Sequence, residues 1–144
     1  MSLTAEHVRL LRETWSVAAR DPEALTGRFY AELFRREPGY RRLFAGSDLK
    51  EQQRKLAAAL GLVVKHAADL RPVIAPLEDL GRRHAGWGVV DADYDVVGGA
   101  LVHALSETLG DRFRPSVQEA WVAAYTAVAD TMKGGARSSL KKTA

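Results

Sequence analysis

A chain of 144 residues with 47% hydrophobic side chains is long enough for one domain with a sizeable core, and its lack of cysteine excludes both a disulfide framework and a thiolate metal site. The formal charge of +3 arises from basic residues interleaved with acids, the pattern of a solvated surface, so no nucleic-acid partner is expected. No run approaches the roughly 20 apolar residues of a membrane span, and the amino terminus lacks a basic-then-apolar leader, so the expected setting is cytoplasmic, without a membrane partner.

Ala, Leu, Arg and Glu dominate, and no alternating β-branched run is bounded by hairpin turns, which predicts an all-α domain. Thr4 caps a first helix running to about Ala19, in which Val8, Leu11, Trp15 and Ala18 recur at helical spacing. Asp21-Pro22-Glu23 starts a second: Asp accepts from free amides, Pro loses nothing at the first position, and Glu suits the positive end of the dipole. This helix carries Leu25, Phe29, Tyr30 and Leu33 to Arg36. Pro38 then forces a break and a short turn to Phe44, followed by a loop and cap over Ala45-Gly46-Ser47-Asp48.

A long helix is predicted from about Leu49 to His66. Arg71-Pro72 and Pro76 bracket a broken stretch leading to a helix that ends at His84, with Gly86-Trp87-Gly88 as its stop. Asp91 caps a helix from about Ala92 to Leu109. Pro115 opens the last, from Ser116 to about Met132, closed by Gly134-Gly135. The expected organisation is one domain over residues 1–133 and a flexible basic tail over 134–144.

His84 is the residue with the most chemistry in it. Leu77, Leu80, Gly81 and His84 share one helical face, so the imidazole points where the oily side chains point. No Cys or carboxylate cluster accompanies it. A lone inward imidazole suits a metal that brings most of its own ligands, as haem iron does; the alternative is an ordinary core or surface histidine.

Four blocks extend the pattern: Gly27-Arg28-Phe29-Tyr30-Ala31-Glu32-Leu33-Phe34 followed by Glu37-Pro38; Arg42-Leu43-Phe44; Gln52-Gln53-Arg54-Lys55-Leu56; and Leu80-Gly81-Arg82-Arg83-His84 through Tyr94-Asp95-Val96-Val97-Gly98. In order and spacing, from roughly Leu10 to Met132, the chain resembles the globin domain of bacterial flavohaemoglobins and their single-domain relatives, with Trp121 to Tyr125 fitting as well. The stretch from Leu80 to Val89 is also similar to neuroglobins. The resemblance implies a globin fold of about seven or eight helices around haem b, with His84 as the proximal iron ligand. It implies that Phe44 lies flat on the macrocycle and that Leu80 and Tyr94 belong to the cofactor's surroundings. Lys55 and Arg83 are candidates for the haem propionates, with a water-facing role as the alternative. His66 and His103 read as structural.

On the other side of the haem, the resemblance implies a distal group of Tyr30, Gln52 and Leu56. Gln52 takes the place of a distal histidine, and Leu56 follows one turn later on the same face. A gas that draws negative charge from iron is stabilised by donors such as the Tyr30 hydroxyl and the Gln52 amide. Dioxygen, NO and CO are the expected ligands.

Two departures narrow the expectation. Flavohaemoglobins strengthen the proximal imidazole with a glutamate fifteen residues after the tryptophan matching Trp121, and here that position is Ala136. Loss of an anionic partner weakens electron push and favours reversible binding, unless another acid substitutes. The sequence also ends at Ala144 with no dinucleotide-binding motif, so turnover would draw electrons from an external reductase. Reversible dioxygen binding and transport is therefore the first expectation. NO dioxygenase activity is the second, a haem-based gas sensor the third, and oligomeric state is left open.

Overall fold

The computed structural model describes residues 3–143, and their side chains as far as Ser138. Six α-helices and two 3-10 segments follow one another, with no strand among the described residues: α1 (Ala5–Ala18), α2 (Pro22–Arg36), a 3-10 segment (Pro38–Phe44), α3 (Leu49–Lys65), α4 (Arg71–Gly86), α5 (Asp91–Leu109), a 3-10 turn (Gly110–Arg112) and α6 (Pro115–Thr143).

The starts form where side chains replace missing helix partners. Thr4 Oγ1 accepts from the His7 amide at 3.0 Å while His7 Nδ1 accepts from the Thr4 amide at 3.3 Å, a reciprocal cap. Asp21 accepts from the Ala24 amide, Asp48 from the Lys50 amide, and Asp93 from the Val90 amide. In the main core α2 lies on α5 and α3, and α1 lies on α6, enclosing Leu10, Leu11, Leu25 and Leu105. A buried bond locks α1 to α6: Trp121 Nε1 donates to Thr14 Oγ1 at 2.9 Å, and the Thr14 hydroxyl in turn donates to the Leu10 carbonyl at 2.7 Å. A second, smaller cluster gathers Tyr94, Ala129 and Met132 with Leu77 and Leu80, where α4 crosses α6.

Three expectations fail in the elements. Asp91 does not cap α5 but is its first residue; Val90 holds the cap position, and Asp93, one turn in, accepts from its amide. The stretch between Pro72 and Pro76 is not broken; α4 runs unbroken from Arg71. Pro72 lies in the first turn, where no amide bond is lost, and Pro76 follows so soon that it forfeits a single bond near the helix start. Nor does Gly134-Gly135 end the last helix, which continues to Thr143, so the residues expected to begin a flexible tail lie within α6. Gly135 is there for contact. A Cβ on it would sit 2.3 Å from the Glu78 carbonyl oxygen, and one on Gly81 would sit 1.9 Å from the Met132 carbonyl oxygen. These two glycines let the α4 and α6 backbones touch, which outweighs the propensity cost of glycine within a helix.

Candidate functional site

Between the two clusters lies a cavity of about 270 Å³. α4 contributes His84, Leu80 and Leu77; α2 and α3 contribute Tyr30 and Leu56; the first 3-10 segment contributes Phe44. His84 reaches it because α4 is pressed onto α6 at Gly81, one turn before the imidazole.

The histidine is in a defined state. His84 Nδ1 lies 2.8 Å from the Leu80 carbonyl oxygen, which can only accept, so Nδ1 carries the proton and Nε2 keeps its lone pair. Burial moves its pKa below the usual histidine value, which keeps the ring neutral at pH 7. Among the described residues this carbonyl is the sole hydrogen-bond partner of the ring, and no carboxylate bonds to it. Trp87, 60% exposed, rests against the imidazole with ring centroids 5.0 Å apart.

Tyr30 is the second polar group in the cavity. Its ring is fixed edge-on between Phe29 and Phe44, at 5.0 and 5.5 Å, and against Phe34 at 6.0 Å. Its hydroxyl bonds to none of the described residues. Since no buried polar side-chain atom is orphaned among them, that hydroxyl looks onto open space. Burial raises its pKa to about 12, so it remains a donor. Two other tyrosines at the cavity are committed elsewhere: Tyr125 donates to the Tyr94 carbonyl at 2.6 Å and Tyr40 to Asp93 at 2.5 Å. Tyr94 is buried in the wall, and Lys133 Nζ stands 5.4 Å from its ring centroid.

The fold thus brings together Tyr30, Phe44, Leu56, Leu80, His84 and Tyr94. It leaves three candidates outside the walls. Gln52 is half-buried in the first turn of α3, one turn before that helix reaches the cavity with Leu56. Lys55 is exposed, and Arg83, also exposed, pairs with Asp79 at 3.4 Å. His103 lies 2.8 Å from Glu107 and 3.6 Å from Glu32, away from the cavity. Sequence reasoning missed Tyr40 and Asp93, which line the cavity together. Nothing in their spacing points to each other, since 53 residues separate them.

The donor set fits one kind of metal group. Among the described residues no three His, Cys, Asp or Glu side chains gather to hold an ion. One neutral imidazole among apolar and aromatic walls suits a flat, oily group that carries its own equatorial ligands.

A family model described as Globin matches residues 27–132. Among curated proteins, a flavohemoprotein of Bordetella pertussis is 31% identical over 138 residues, covering 94% of this chain and 34% of that protein. One of Bacillus subtilis is 28% identical over 129 residues, covering 88% and 32%. The chain spans about a third of the length of these curated relatives. Among solved structures, a bacterial globin from Campylobacter jejuni superimposes with a TM-score of 0.83 at 22% identity, covering 96% of this chain and 99% of that one. An engineered carbene transferase from Rhodothermus marinus, described as a candidate nitric oxide dioxygenase, gives 0.88 at 24% identity, covering 99% of each. These two likenesses speak to the fold alone. No helix among the described residues is long and apolar enough to cross a membrane.

Proposed function

The chain belongs to the globin family, and on that premise we propose that it holds haem b through His84 Nε2 and binds dioxygen reversibly, with NO and CO as further ligands. The observation that carries this reading is a neutral imidazole with a free Nε2 and a phenol with a free hydroxyl lining one apolar cavity. Haem supplies an iron that takes up a diatomic gas. The chain supplies the rest. The Leu80 carbonyl orients the imidazole, Phe44 and Leu56 exclude water, and Tyr30 donates a hydrogen bond into the space where a gas acquires negative charge. Gln52 acts as a second donor from the rim, and Lys55 and Arg83 serve the propionates from the surface.

A main-chain carbonyl behind His84 gives less electron push than a carboxylate would, which favours release of intact dioxygen. The test is cycling. Haem-loaded, reduced protein exposed to oxygen and then swept with argon returns to its reduced spectrum; direct conversion to the ferric form contradicts the reading.

The resemblance to flavohaemoglobins supports a second reading, NO dioxygenase activity, the activity named for the Rhodothermus marinus neighbour. There NO and dioxygen combine to nitrate, and each turnover takes one electron from an external reductase. Sustained nitrate production with a reductase present supports that activity, whereas a single stoichiometric conversion leaves a binder.

A further inference from the structure

One wall of the cavity contains no buried residue. The segment Pro38–Phe44 lends Tyr40, Leu43 and Phe44 to the lining, yet none of its residues is buried and Leu43 is 53% exposed. It packs mainly on α2. A wall of this kind opens at small cost, because few apolar contacts are lost when it moves. Among the described residues a single side-chain hydrogen bond leaves it for another helix: the Tyr40 hydroxyl donates to Asp93 Oδ1 at 2.5 Å. Asp93 is itself anchored, its Oδ2 accepting from the Val90 amide at 2.9 Å. Both residues line the cavity, as does the half-exposed Leu43.

We propose that Tyr40 and Asp93 form a strap that holds the 3-10 wall of the cavity against α5 and sets how fast a planar group leaves. Both are positioning residues. The bond is short and charge-assisted, the strong class of hydrogen bond. Burial and the Asp93 carboxylate push the Tyr40 phenol upward, so the donor persists through neutral pH.

The first readout does not depend on the haem reading: amide hydrogen exchange of residues 38–47 in haem-free protein. Tyr40→Phe raises exchange there about ten-fold, the scale of one charge-assisted bond, and leaves α1 and α6 unchanged. Asp93→Ala does the same, and the double variant adds nothing for this segment. Exchange within two-fold of wild type, or additive effects of the two substitutions, overturns the strap. The second readout rests on haem binding: transfer of ferric haem to excess apoglobin acceptor is faster in Tyr40→Phe by a similar factor. Thr14→Val, which weakens the distant α1–α6 lock, serves as control; equal acceleration by it would mean that release follows overall stability and overturns the strap. Failure of wild type to take up haem sinks the functional reading, and the exchange experiment then decides the strap by itself.

Discussion

Tyr30 shows how one burial decision produces a usable group. Enclosed by three phenylalanines, the phenol stays protonated up to about pH 12 and has no hydrogen-bond partner among the described residues. Tyr30→Phe therefore removes a donor and little volume, and the oxygen dissociation rate measured by stopped flow should rise by roughly 10- to 100-fold, the worth of one hydrogen bond to a charged acceptor. Gln52→Leu should change it less, because Gln52 is not among the residues that line the cavity. Glu32 carries a different burden. Its nearly enclosed carboxylate accepts from Arg35 at 2.6 and 2.8 Å and from Arg36 at 2.7 Å, which holds its pKa at about 2. A carboxylate depressed in the folded state stabilises above its unfolded pKa, near 4.5, and loses that contribution as pH falls toward 2. Urea midpoints of wild type should fall across that window, while Glu32→Gln should start lower at pH 7 and slope less.

At the scale of elements, the α4–α6 crossing decides where His84 sits. Gly81→Ala puts a methyl group into the Met132 carbonyl and should cost about 1–3 kcal/mol, with weakened haem uptake because the imidazole lies one turn further on. Gly134→Ala meets nothing within 4 Å and should stabilise by about 0.5–1 kcal/mol. Urea denaturation of both variants checks the contrast. The same crossing marks the limit of what was legible in the sequence. Helix starts were readable, because Thr4, Asp21 and Asp48 act within three residues of themselves. That Leu80 and His84 share a face follows from helical spacing, whereas Tyr30, Phe44 and Leu56 were singled out by the family resemblance; all five line one cavity. Gly134-Gly135 was misread as a stop, and Pro76 as a break, because local rules carry no information about a partner helix arriving from elsewhere in the chain. The Tyr40–Asp93 bond was hidden for the same reason.

For the whole molecule, the cavity separates a broad core from a small one. α4 belongs to the small cluster, where Tyr94, Ala129 and Met132 are the buried members. α4 itself buries only Val73 and Gly81 and meets that cluster through the half-buried Leu77 and Leu80, so it is expected to open before α1. A ligand filling the cavity binds the folded state alone and stabilises it by mass action. Haem loading should therefore raise the melting temperature and slow exchange of α4 amides more than those of α1, both measurable on one preparation. Whether one imidazole tethers the cofactor is read from the absorption spectrum of haemin-supplied protein, comparing wild type, His84→Gly, and His84→Gly with free imidazole. A Soret band is expected in wild type, a lost or shifted band in the variant, and recovery when imidazole fills the gap; no band in wild type, or an unchanged band in the variant, would show that His84 is not the tether.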